Sequence, residues 1–195
     1  MYRMALDMIP NTTKELRFKI MRNIGHASFR MGAYQDAIQS YEEIMDGNPD
    51  FQAGFDLLLC YYALGDKDRM KKGFLHLMSI QHEGAPDEDD EDVALEPGLH
   101  ADDLKEELRE REKQAKHFIT VAGKLIAPAI EPEWAAGFDW VIENLKTQAH
   151  DDIASEMEIT KAVSFMHKKS FSEAVEVLKG FEKKDRALMV THSLQ

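Results

Sequence analysis

Small and apolar residues recur three or four positions apart along most of the chain, which is the spacing of one face of a helix. Residues 18–50 and 51–80 carry this pattern twice, with an offset of 33 positions. The aligned pairs are Gly25 with Leu58, Gly32 with Gly65, Ala37 with Met70, and Tyr41 with Phe74. No segment has a convincing strand pattern. The sequence therefore predicts an all-α fold, an α-solenoid of antiparallel helix hairpins.

The ends of the helices in each hairpin are predicted from glycine and aspartate. Gly32 and Gly65 should end the first helix of each pair, because glycine readily takes the left-handed conformation. Asp36 and Asp66 follow them and are predicted to open the second helix, since aspartate is a favourable N-cap.

The spacing of small and large side chains within the hairpins resembles the tetratricopeptide repeat. Gly25 and Ala37 are small where two helices should cross closely, while Tyr34 and Tyr41 should fill the space towards the next pair. The matched repeat-packing positions are Gly25, Gly32, Tyr34, Ala37, Tyr41 and Pro49, followed in the weaker second unit by Gly65 and Phe74. The second unit is weaker because Lys67 and Met70 replace the tyrosine and alanine expected there.

The first residues repeat the spacing of the end of such a unit. Tyr2, Ala5 and Pro10 match Tyr41, Ile44 and Pro49, so the chain is expected to begin halfway through a repeat and to be a fragment of a longer protein. An incomplete repeat exposes an apolar face. Self-association through this first repeat is therefore a further prediction.

The second half of the chain predicts longer and less regular helices. Apolar residues from Leu104 to Leu125 predict one long helix that Pro128 stops. Three stacked helices are predicted over 134–184, the last of them repeating the second-helix pattern with Phe171 and Ala174. The predicted organisation along the chain is repeats over 1–82, an acidic loop over 83–103, the long helix and further repeat helices over 104–184, and a tail over 185–195.

Charge is concentrated in the predicted loop. The chain has a net charge of −12, but residues 83–103 hold ten acids and no Lys or Arg, which leaves about −2 for the remainder. Such a segment cannot bury enough apolar surface to order itself, so a disordered insertion is expected there. It is expected to act as a solubilising tether or as a dock for a basic partner segment. Nucleic acid is not an expected partner of so acidic a chain.

Candidate catalytic, metal and cofactor sites are weak. Cys60 lies among large apolar residues, where a buried inert thiol is expected. His150 precedes Asp151 and Asp152, but Ala154 stands one turn later, where a helical metal site needs a second ligand. The two aspartates are expected to serve the start of a helix. We predict no enzyme activity, no cofactor and no metal.

The composition predicts the compartment of the protein, and the repeat predicts where a partner groove lies. A single cysteine and no apolar run long enough for a membrane span indicate a cytosolic protein. Tetratricopeptide arrays bind partners in the groove lined by their first helices, where this chain has Arg22, His26 and Asp56. One subclass clamps a chaperone carboxylate with Lys and Asn, but Asp56 would repel a carboxylate.

Several longer stretches go beyond what the repeat requires: RFKIMRNIG, GDKDRMKKGF, KLIAPAIEPEWAAGFDW, EITKAVSFM and EVLKGFEKK. They resemble one particular family, the tetratricopeptide subunit eighty-eight (polaris) of intraflagellar transport. The resemblance implies a non-catalytic scaffold of the B complex that binds other B-complex subunits and is needed for cilium or flagellum assembly. It implies a location in the cytoplasm, the cilium or flagellum, and the basal body. The alternative is a general peptide-binding adaptor or co-chaperone.

Overall fold

The chain is described here by a computed structural model over residues 14–80 and 99–180. Every regular element in these ranges is a helix, and neighbouring helices pack in sequence order, which confirms the predicted all-α solenoid. The helices are α1 Lys14–Arg30, α2 Tyr34–Gly47, α3 Phe51–Leu64, α4 Lys67–Met78, α5 Leu99–Ile126, α6 Trp134–Thr147, α7 Asp151–His167, and α8 over 171–180.

Glycine ends the first helix of both early hairpins, as the sequence predicts. Gly32 and Gly65 have φ of +75° and +68°, a region that costs glycine little. Asp66 then caps α4, because its carboxylate accepts a hydrogen bond from the backbone N–H of Arg69. The prediction that Asp36 opens α2 as its N-cap was wrong. Helix α2 already begins at Tyr34 and places Asp36 in its first turn, where an acid suits the positive end of the helix dipole.

The four helices α1 to α4 form two hairpins that share one core with the later helices. Helix α5 packs against both helices of the second hairpin and against α7, and α6 pairs with α7. The largest fully buried side chains belong to both halves of the chain, among them Tyr41, Phe74, Ile126 and Met157. One continuous apolar core therefore joins the repeats to the less regular second half.

Helix α5 is much longer than its neighbours. Its 28 residues span about 42 Å at 1.5 Å per residue, whereas α3 and α6 have 14 residues each. It ends at Ile126, and Pro128 lies in the following turn, as expected. It begins at Leu99, inside the range 83–103 that the sequence assigns to the loop. Of residues 106–114, all are exposed except the half-buried Leu108, so the first part of α5 projects beyond the packed body.

Some sequence predictions concern residues outside the described ranges. These are the half repeat at Tyr2, Ala5 and Pro10 with the self-association that depends on it, the acidic insertion up to residue 98, and the tail over 185–195. They stay predictions.

Candidate partner-binding surface

The first hairpin is built around a close contact between a glycine and a tyrosine. A Cβ at Gly25 of α1 would lie 2.6 Å from a ring carbon of Tyr41 on α2. Tyr41 is 1% exposed, and burial is the main cause that raises its pKa above the ordinary tyrosine value. Ala37, one turn earlier on α2, is fully buried. The structure thus places Gly25 and Tyr41 at one helix crossing and buries Ala37 one turn away.

The other predicted packing residues lie in several environments. The Tyr34 ring is half-buried and packs edge-on against Phe29 of its own hairpin, with ring centroids 5.4 Å apart. Pro49 is exposed in the turn before α3. On α8, Ala174 is buried, whereas Phe171 is 63% exposed. In this last copy of the second-helix pattern, the small residue is therefore buried and the large residue is exposed to solvent.

Arg22, predicted to line the groove of first helices, is held by the acid that caps the first helix of the second hairpin. Its guanidinium donates to the carboxylate of Asp50, the residue that precedes α3. The other Asp50 oxygen accepts from the backbone N–H of Ala53 at 2.9 Å, which caps α3. The Asp50 carboxylate therefore caps α3 and also links it to α1, the first helix of the preceding hairpin. Sequence reasoning did not single out Asp50, although an Asp directly before a helical pattern is a cap signal.

His26 and Asp56, the other two predicted groove residues, bind each other across α1 and α3. Nε2 of His26 lies 2.9 Å from the Asp56 carboxylate, whose second oxygen accepts from Gln52 at 3.1 Å. The side chain of Asp56 is only 13% exposed, and that of His26 is 46% exposed. The structure brings all three predicted groove residues to one surface, but Arg22 and His26 each already have a carboxylate partner. A ligand carboxylate would have to displace Asp50 or Asp56, and it would meet their negative charge.

A second inter-repeat layer, which the sequence did not predict, joins α4 to α6. The buried Phe74 ring lies 6.3 Å from the ring of Trp140, measured between centroids. The ammonium of Lys71 lies 5.5 Å from the Trp140 ring centroid and also binds Glu131 in the turn before α6. This layer anchors the turn around Pro128 to the second hairpin. It is formed by residues 60 positions or more apart, so periodicity alone could not reveal it.

Cys60 lies in the core, where the sequence places it. It is fully buried, and burial, with a smaller effect of Asp56, raises the pKa of its thiol to about 12. The thiolate is the reactive form of cysteine. At neutral pH the thiol is therefore protonated and shielded from solvent.

We expect Cys60 to resist thiol reagents in the folded protein. At pH 8 an aromatic disulfide reagent should label it at least about 100-fold more slowly than it labels the urea-unfolded chain, because both burial and the raised pKa suppress attack. Absorbance of the released thiol gives both rates. Replacement of Cys60 and His150 by Ala should change stability at most. Equal labelling rates in the two states, or lost partner binding by a folded double variant, would contradict this assignment.

The aspartates after His150 lie at the start of α7, as expected. Asp152 accepts from the backbone N–H of Ile153 at 2.9 Å and from Nζ of Lys116 at 3.1 Å. Although burial raises the pKa of Asp152, these hydrogen bonds lower it below its ordinary value overall. Among the side chains described over 14–80 and 106–180, no group of three is suited to a metal ion. None of the helices described above has an apolar stretch of the length that a membrane span needs.

Comparison with curated proteins finds similarity to an intraflagellar transport protein. The chain is 42% identical over 195 aligned residues to the human intraflagellar transport protein 88 homolog, and the match covers 94% of this chain. The predicted family resemblance is confirmed. The matched segment is 23% of the human protein, so the chain spans about a quarter of that relative's length. No protein-family model and no solved structure matches the chain.

Proposed function

We propose that the chain is a non-catalytic scaffold segment of an intraflagellar transport subunit that binds other subunits of the B complex. The observation that carries the proposal is the 42% identity to the human intraflagellar transport protein, spread over 94% of the chain. An α-solenoid supports it, because such folds present extended surfaces to protein partners. We further propose a role in cilium or flagellum assembly and a location in the cytoplasm, the cilium or flagellum, and the basal body.

The second candidate is a general peptide-binding adaptor or co-chaperone. The contacts of the predicted groove residues argue against one form of this candidate, a co-chaperone that clamps a ligand carboxylate. The Arg22 guanidinium is bound by Asp50 and the His26 ring by Asp56, so neither side chain is free to bind a ligand carboxylate. An acidic chain terminus would lose its own hydration without gaining an unpaired cation. Transport is therefore the function that the surface and the similarity support together.

Purification from ciliated cells tests the proposal. The tagged chain, expressed at a low level, should co-purify other B-complex subunits, identified by mass spectrometry. Gly137→Ala, a variant that we expect to disturb packing, serves as the control and should recover fewer of them. Recovery of chaperones without any transport subunit would favour the adaptor and overturn the proposal.

A further inference from the structure

A cleft opens beneath the projecting part of α5. It has a volume of about 480 Å³ and lies where the start of α3, the end of α4, the middle of α5 and the α6–α7 turn meet. Six apolar side chains contribute to its walls: Phe51, Met78, Ile80, Ala115, Ile119 and Ala149. We call this space the α5 cleft. Its volume lies within the range of about 300 to 1,000 Å³ that is usual for binding pockets, which suits a few side chains and excludes a whole helix.

The rim of the α5 cleft is acidic. Glu112 from α5 and Asp151 and Asp152 from the start of α7 line it, together with Lys116 and His150. The Lys116 ammonium lies 2.9 Å from Glu112 and 3.1 Å from Asp152, so its charge is already matched by two carboxylates. Three acids against one lysine leave the rim with a net negative charge. The rim therefore favours a cation and the walls favour an apolar group.

We propose that the α5 cleft binds a protein segment that presents an apolar side chain beside a Lys or Arg. The apolar side chain would pack between Ile80 and Ile119, and the basic group would reach the carboxylates of Glu112 and Asp151. Arginine suits the rim because its fork of donors can bind two carboxylate oxygens at once.

Charge also decides against an acidic occupant. Ile80 lines the cleft, and residues 83–103, which follow it in the sequence, hold ten acids and no Lys or Arg. An acidic segment would be repelled by the rim, whereas a basic partner would be attracted by it. The occupant is therefore a basic segment of another protein.

This inference rests on the proposed role as a partner-binding scaffold, and its test uses no transport subunit. The probe is a fluorescein-labelled ten-residue peptide with two Leu-Arg pairs in a Gly/Ser background. One matched peptide replaces Leu by Ser, and another replaces Arg by Glu. Fluorescence anisotropy with the full chain at low salt measures the affinity of each.

Variants of the rim locate the binding. Glu112→Gln with Asp151→Asn removes two rim charges and leaves Asp152, which bonds to the start of α7, in place. Glu107→Gln with Glu143→Gln is the matched control, because it removes two charges from exposed residues outside the cleft lining. Circular dichroism should show equal helix content in both variants, since all four positions are exposed.

The Leu-Arg peptide should bind at least about five times more tightly than either matched peptide, because it alone has both an apolar side chain for the walls and a cation for the acidic rim. The rim variant should weaken its binding about five-fold, and the control variant less than two-fold. Equal affinity of the Leu and Ser peptides would overturn the proposal, since it would mean attraction by charge alone. Equal loss in the two variants, or no binding of the Leu-Arg peptide at millimolar concentration, would also overturn it. Failure here leaves the purification test of the transport role unaffected.

Discussion

Gly137→Ala is expected to lower the free energy of unfolding by about 3 kcal/mol, the upper end of the usual cost of overpacking. The added Cβ would lie 1.9 Å from the backbone oxygen of Ala127 and 3.3 Å from the Ile130 side chain. A backbone oxygen cannot move aside as the end of a flexible side chain can. Helix α6 would therefore have to shift away from the turn that follows α5.

Urea unfolding followed by circular dichroism measures this change. The control is Gly180→Ala, because among the described residues no atom outside its own helix backbone lies within 4 Å of the Cβ built at that helical glycine. Alanine there should cost nothing and should stabilise the helix by up to about 1 kcal/mol, since glycine has a poor helix propensity. Similar unfolding midpoints for the two variants would show that α6 does not approach Ala127 as closely as described.

Gly25→Ala is expected to destabilise the first hairpin by about 2 kcal/mol. Its Cβ would lie 2.6 and 2.7 Å from two carbons of the Tyr41 ring, and Tyr41 is 1% exposed. A buried ring has little room to move, so α1 and α2 would have to separate.

A double-mutant cycle isolates that contact. In a Tyr41→Leu background, which removes the ring carbons, Gly25→Ala should cost less than about 1 kcal/mol. Urea unfolding of the four proteins gives the coupling. If Gly25→Ala costs the same in both backgrounds, the cost comes from elsewhere and the described helix crossing is wrong.

The parts of the fold that depend on local chemistry could be predicted from the sequence. Gly32 and Gly65 end their helices because the left-handed turn requires a residue without a Cβ, and this requirement is visible in one residue type. Asp36 misled the prediction, because a cap differs from a first-turn residue by only two or three positions. The start of α5 at Leu99 was missed for a similar reason. Acidic residues are typical of loops and are also favourable at the start of a helix.

The candidate surface could be predicted only in part. The repeat pattern predicts Arg22, His26 and Asp56 as groove residues, and the structure places them on one surface, while their role in partner binding stays a prediction. Their pairing could not be predicted, since it depends on how far α3 is displaced from α1. The α5 cleft was missed altogether, because its walls come from Phe51, Ile80 and Ile119, which are distant in sequence and have no spacing in common.

We expect this chain to perform the function of the matching segment of an intraflagellar transport subunit. A chimera tests this in ciliated cells that lack the endogenous protein: this chain replaces the matching segment of the human relative, which is 23% of that protein's length. The fraction of cells with a cilium is then counted by microscopy. We predict that the chimera restores cilia, and that the same chimera carrying Gly137→Ala restores far fewer. A chimera that is expressed at the normal level and restores no cilia would contradict the proposed function of this chain.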